Sequence, residues 1–377
     1  MVPKGWEKNS LDSLFEFKNG LNTEKEQYGN GYKFVNVMDV FRNDILTESK
    51  IIGRVQVTDK QLEGYQLKYG DVLFNRTSET FDEIAIAAIY LDNAIATFGG
   101  FVIRARPKGN QIDPAYSVFL FQSKNYRSQV VKLGQGAIRA NIGQKDLARV
   151  CILVPPLAEQ KKIAQILSTW DKAISVTEKL LTYSQQQKKA LMQQLLTGKK
   201  RLLDENGVRF NGKWEKKLLS DVADVYQPKT ISQSMMSDSG YPVYGANGVI
   251  GFYQEFNHET EQIAVTCRGS TCGIVNWTQA KSWITGNAMV INTDNYSYVS
   301  KKFLFYTLNG SDLKYLISGS GQPQITGNIK THIINLPCIE EQQKIATVLS
   351  AADAEIYTLE KKLACLRDEK KALMQQL

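Results

Sequence analysis

The stretch that decides the fold is VPPLAEQKKIAQILSTWDKAI, residues 154–174, because it returns as LPCIEEQQKIATVLSAADAEI at residues 336–356. The two copies lie 182 residues apart and stay in step to the octapeptide KKALMQQL, which occurs at 188–195 and again at 370–377. Over 42 ungapped positions 21 residues are identical. A self-match of that quality marks an internal duplication, which must be recognised before any single motif is weighed.

Apolar residues recur at alternating steps of four and three in both copies. In the second they are Ile345, Leu349, Ala352, Ile356, Leu359, Leu363, Leu366, Leu373 and Leu377, broken only by Lys370. The first gives Ile163, Leu167, Trp170, Ile174, Thr177, Leu181, Ser184, Lys188, Leu191 and Leu195. More than four heptads of one seam predict a coiled-coil helix in each copy. About 40 residues of helix span about 60 Å, as much a spacer as a core. Pro155 and Pro156 end the preceding strand and open the first helix, and Glu159 and Glu341 suit the positive N-terminal ends. Lys188 and Lys370 share one seam position. Such a lysine either fixes register at some cost in stability or carries its ammonium out to water. Each helix needs a partner. The simplest is the other copy, antiparallel to it about a pseudo-two-fold axis.

Between the repeats the sequence varies. Gly5-Trp6-Glu7-Lys8 is echoed by Lys213-Trp214-Glu215-Lys216, GGFVIRAR (from Gly99) by GNAMVINT (from Gly286), and LGQGAIRANIGQKDL (from Leu133) by SGSGQPQITGNIK (from Ser318). The plan is an α+β chain with two α/β variable domains, residues 1–153 and 204–335, and two helical segments, 154–203 and 336–377. Strands are expected in YKFVNVMDV, GDVLFNR, EIAIAAIYL and FVIRAR of the first domain and in YPVYG, EQIAVTCRG, CGIVNW and NAMVIN of the second. One helix is expected after Pro114. Another covers YVSKKFLFYTLNGSDLKYLI, with a break at Asn309-Gly310.

A net charge of +8 and a pI near 9.0 favour a polyanionic partner. The five scattered cysteines point to reduced thiols in a cytoplasm, and neither a signal peptide nor a membrane-length apolar run is expected. With two histidines, His258 and His332, in unrelated contexts, a histidine-based catalytic machinery has little to draw on. Cys267 and Cys272 have no second pair for zinc. TGKKRL at Thr197 is not a phosphate loop, and no G-x-G-x-x-G follows a strand. The Asn/Asp-Pro-Pro-aromatic mark of an amino-methyltransferase pocket is also missing, so no catalysis by this chain alone is expected.

The loops after the second strands suit a nucleic acid. Asn75-Arg76-Thr77-Ser78 in one domain is matched with Arg268-Gly269-Ser270-Thr271 in the other. Later loops supply Gln135, Arg139 and Asn141, and Gln322 and Gln324. Arginine reads guanine, amides read adenine, and hydroxyls take phosphate or base edges. The same residues also make ordinary surface turns.

PPLAEQKKIAQIL…KKALMQQLLTGKKRL, its copy, the opening GWEKNSLDSLFEFKNG and the phrase YPVYGANGVIGFY together resemble the DNA-specificity subunit of type I restriction–modification systems. The likeness covers nearly the whole chain. It implies two target-recognition domains, each reading half of an asymmetric bipartite site in double-stranded DNA. Tyr244 and Asn247, within that last phrase, complete the candidate DNA contacts. The likeness also implies helices that dock two methyltransferase subunits, which carry S-adenosylmethionine and methylate adenine N6, and motor-nuclease subunits that complete the complex. No cofactor is expected on this chain. The competing readings are a protein-only scaffold, which would bind no duplex DNA salt-sensitively, and a self-sufficient enzyme.

Overall fold

The computed structural model describes residues 3–136, 139–319 and 322–377. The chain divides into two compact units, Met1–Glu178 with Lys362–Leu377, and Lys179–Lys361. Each unit therefore owns part of both long helices, Leu157–Leu195 and Ile339–Met374.

In the first unit a five-stranded sheet has the order Phe15–Asn19, Val102–Pro107, Val72–Asn75, Ala87–Tyr90, Ile45–Leu46. A second sheet sets Tyr28–Val35 between Arg54–Val55 and Ala96–Phe98, parallel to the latter. The core beneath the larger sheet is aromatic: Phe74 and Tyr126 each lie 5.0 Å from Phe121, edge to face. The second unit repeats this with Asp224–Tyr226, Ala288–Asn292, Ile263–Thr266 and Val275–Trp277 in one sheet, and Val249–Tyr253, Tyr241–Tyr244 and Trp283–Ile284 in the other.

Several local expectations change. YKFVNVMDV is a strand only to Val35. Asn36 then caps a helix, Val37–Arg42, because its N–H donates to Asp39 Oδ2 at 2.8 Å. The helix after Pro114 is two helices, Pro114–Leu120 and Lys124–Leu133, since Ser123 caps the second through the N–H of Tyr126. The break at Asn309-Gly310 is present, with the helix ending at Asn309.

Both long helices start from the same polar pin. Gln160, wholly buried, donates from Nε2 to the carbonyls of Pro155 and Gln111 and accepts the N–H of Asp113, all at 2.8 Å. Gln342 does the same with Pro337 (2.8 Å), Tyr298 (3.1 Å) and the N–H of Ser300 (2.8 Å). The tryptophan of each WEK echo donates at 3.1 Å to the first-turn glutamate, Trp6 to Glu159 and Trp214 to Glu341. The second pin is stronger. Arg201 forks onto Glu341 at 2.5 and 2.6 Å, and Glu341 is 1% exposed.

Within each unit the two helix segments are antiparallel. In the first, Asp171 pairs with Lys370 and Glu178 with Arg367 (2.7 Å). In the second, Ser184 donates to Glu355 at 3.1 Å and Lys188 pairs with Asp353. As one residue number rises its partner's falls, and the 182-residue repeat converts each Asp–Lys pair into the other. The two seam lysines thus neither lie bare nor run to water. Each is held by the aspartate of the facing segment, an opposite-charge pair that specifies register.

Candidate nucleic-acid interface

Where the strand Val72–Asn75 ends, Asn75 is fully buried and donates from Nδ2 to the carbonyls of Thr77 (3.2 Å) and Glu83 (3.0 Å). That fixes the turn on which Arg76 stands exposed. Thr77–Ser78 then pairs with Ala140–Asn141, and the N–H of Ile142 donates to Arg76 O at 3.0 Å. Gln135 and Asn141 exchange backbone hydrogen bonds at 2.9 and 2.7 Å. The fold therefore collects Arg76, Thr77, Gln135, Arg139 and Asn141 at one edge. Arg76, Gln135, Arg139 and Asn141 are exposed, and among the described residues neither arginine has a carboxylate partner. Ser78 faces inward and donates to Glu83 Oε2 at 3.1 Å, while Asn141 Nδ2 holds Arg139 O at 2.9 Å.

The second unit builds the same frame. Ile325 N–H donates to Cys267 O (3.0 Å), Ser318 and Gln324 exchange bonds at 2.8 and 2.9 Å, and Gly269 N–H reaches Pro323 O at 3.1 Å. Arg268 bridges to Gln324. Those backbone contacts bring segments 268–270 and 322–324 together, with Arg268, Ser270 and Gln322 exposed and Gln324 half-buried. Gly136 and Gly319 make the equivalent turns possible. Both have positive φ, +121° and +96°, and a Cβ on either would meet a carbonyl, of Arg139 or Gln322. Ala137-Ile138 and Ser320-Gly321, between these turns and the convergent residues, lie outside the described residues.

Hydrogen bonding corrects the register of the sequence comparison. Arg76 N–H donates to Phe101 O (2.9 Å), and Cys267 N–H donates to Asn287 O (3.1 Å). Arg76 thus corresponds to Cys267 and Thr77 to Arg268, two residues away from the match of Asn75-Arg76-Thr77-Ser78 with Arg268-Gly269-Ser270-Thr271. Val102 opposes Asn75 as Ala288 opposes Thr266, so GGFVIRAR and GNAMVINT align one residue differently as well. A slip of one residue turns each strand side chain to the opposite face, and only pairing reveals it.

The remaining two candidates separate. Tyr244 is 7% exposed and its hydroxyl accepts the N–H of Gln279 at 3.0 Å, so it holds the loop frame. Asn247 is exposed on a turn closed by Gly245 N–H to Gly248 O at 2.9 Å, and Thr266, at the root of the Arg268 loop, donates to Ala246 O in that turn. Phe101 and Asn287 were not singled out from sequence. They sit at the start of ordinary strand patterns, and only the carbonyl bonds to Arg76 and Cys267 bring them to the interface. Burial pushes the thiols of Cys267 and Cys272 up, which keeps them protonated. Among the described residues no three His, Cys, Asp or Glu side chains converge as a metal group, and no helix is long and apolar enough to cross a membrane.

Residues 3–182 and 211–365 match the family described as "Type I restriction modification DNA specificity domain". A Methanocaldococcus jannaschii protein assigned as the type I restriction enzyme MjaX specificity subunit is 26% identical over 417 aligned positions, covering 100% of this chain and 93% of its own. The MjaVIII specificity subunit of the same organism is 24% identical, covering 73% and 72%. The crystal structure of the type I system S subunit from M. genitalium superimposes with a TM-score of 0.66 over 99% of this chain and 96% of that one, at 17% identity.

Proposed function

The chain belongs to the type I restriction–modification DNA specificity family, and from that premise we infer that it is the sequence-reading, non-catalytic member of its complex. Each unit reads one half of an asymmetric bipartite site in duplex DNA. The long helices dock two methyltransferase subunits, which bring S-adenosylmethionine and methylate adenine N6. Motor-nuclease subunits join the same assembly, and the complex works in the cytoplasm.

One observation carries this reading: two copies of a single backbone frame present different exposed or half-buried side chains. Arg76, Arg139, Thr77, Gln135 and Asn141 occupy the first; Arg268, Ser270, Gln322 and Gln324, with Asn247 beside them, occupy the second. Arginine presents two parallel donors to guanine O6 and N7, and asparagine or glutamine matches adenine N6 and N7. Asn75, Ser78 and Tyr244 act one step back, by fixing the turns that carry the readers. A shared frame with unlike readers predicts unlike half-sites. The test is duplex binding across salt concentration. A reader of this kind loses affinity steeply as salt rises yet keeps a sequence preference, whereas a protein-only scaffold shows neither.

A further inference from the structure

Phe101 is 65% exposed, unusual for a phenylalanine in the middle of a folded domain. It stands on the turn between Ala96–Phe98 and Val102–Pro107, and its carbonyl accepts the N–H of Arg76 at 2.9 Å. Its ring is therefore tied by backbone to the exposed arginine of the first cluster. Behind it opens a cleft of about 170 Å³ whose walls include Asn22, Thr23, Tyr28, Phe34 and Asn36. A space of about that size admits one aromatic ring. Gly99 and Gly100 shape its floor: a Cβ on Gly99 would press on the Phe34 ring and one on Gly100 on Asn22. Tyr28 lies edge-on to Phe34 at 5.5 Å, and Thr23 Oγ1 is buried there without a hydrogen-bond partner.

The second unit supplies a control. Asn287 holds the same backbone position, its carbonyl accepting the N–H of Cys267 at 3.1 Å, but its side chain is a polar amide. The shared backbone frame therefore forms without a ring at this position. The frame is kept and the side chain is exchanged, as at the reading positions.

We propose that Phe101 is a specificity-determining residue of the first unit, whose ring packs against a base of the half-site that unit reads, with the cleft behind it receiving the base's edge; Asn287 takes the corresponding place in the second unit. This rests on the DNA-reading function inferred above. Aromatic side chains insert at base steps or stack on bases, and alanine substitution of such a ring lowers affinity by roughly ten- to a hundredfold.

The experiment is selection from a random duplex library by the full chain bound to its methyltransferase subunits, as wild type, Phe101→Ala and Phe101→Trp, with melting temperature measured on each. Phe101→Ala is expected to bind the wild-type site about tenfold more weakly. It should also relax one or two positions of a single half-site, with an unchanged melting temperature. Phe101→Trp should keep the site. If wild type selects a bipartite site and Phe101→Ala selects the same site with the same affinity, the Phe101 assignment is overturned while the function stands. Equal weakening at both half-sites overturns it too. If wild type selects no sequence, the DNA-reading function falls and the role of Phe101 falls with it.

Discussion

Replacing Asp353 by alanine should destabilise the second unit by about 2–3 kcal/mol, and the structure says why. Lys188 is 20% and Asp353 41% exposed, so their pair lies between two limits. Exposed pairs contribute about 0.2–1 kcal/mol, whereas breaking a buried pair costs about 3–5. Tyr306 adds to the loss because its hydroxyl donates to the second Asp353 oxygen at 2.6 Å, a bond to a charged acceptor. Lys188→Met removes the cation but leaves Asp353 with Tyr306 and partial water, and should cost about 1 kcal/mol. The double variant should then show a coupling of about 1–2 kcal/mol. In a unit of this size Asp353→Ala corresponds to a melting shift of roughly 5–10 °C. The twin pair offers an internal comparison. Lys370 is 19% and Asp171 44% exposed, but the neighbouring ring is Phe119, 5.6 Å from the ammonium and without a hydroxyl. Asp171→Ala should therefore cost about 1 kcal/mol less than Asp353→Ala. Urea unfolding of the four single variants and two double variants measures both couplings. A coupling below about 0.3 kcal/mol in each pair would refute the claim that these ion pairs set register and leave that task to the apolar seam.

Arg201→Ala should cost about 3–5 kcal/mol, since it removes the cation from the nearly buried carboxylate of Glu341 and leaves it the Trp214 N–H, while Trp6→Phe, at the exposed counterpart, should cost under about 1.5 in the same denaturation assay. Arg268→Ala should relax one half-site by about 1–3 kcal/mol of base discrimination without lowering the melting temperature; a stability loss instead would make Arg268 a framework residue. Asn75→Ala should weaken binding by the first unit although Asn75 touches no solvent, because Arg76 loses its support; unchanged affinity would exclude that dependence. Both histidines lie in the second unit, and burial pushes His258 and His332 below the usual imidazole range. Folding favours their neutral forms, so this contribution is complete above about pH 6.5 and is lost as pH falls below it. Amide exchange at pH 7.5 and 5.5 should show the second unit loosening on acidification. An effect that survives histidine-to-asparagine replacement would assign it elsewhere.

The repeat made the long helices legible, because a heptad seam is local and survives in both copies. Seam lysines were visible as exceptions, but their partners were not. Asp171 and Asp353 sit seventeen residues before Lys188 and Lys370 on the same helix, and only antiparallel pairing within each unit brings unlike copies together. The polar pins Gln160 and Gln342 are identical in the two copies, yet a buried glutamine looks like any surface glutamine until its carbonyl partners are known. At the interface the residue types were readable and the register was not. Arg76 aligns with Cys267 through hydrogen bonds between strands far apart in sequence, which no ungapped comparison of two divergent loops can recover. Phe101 escaped because it looks like a core strand residue in the sequence, and only the fold leaves it exposed.

The most direct test of the account is single-molecule mapping of methylated adenines in cells expressing this chain with its methyltransferase subunits. The account predicts one bipartite site with two different half-sites, and Arg268→Ala should alter one half and spare the other. A perfect palindrome, or a methylation pattern indifferent to Arg268 and Arg76 alike, would contradict it.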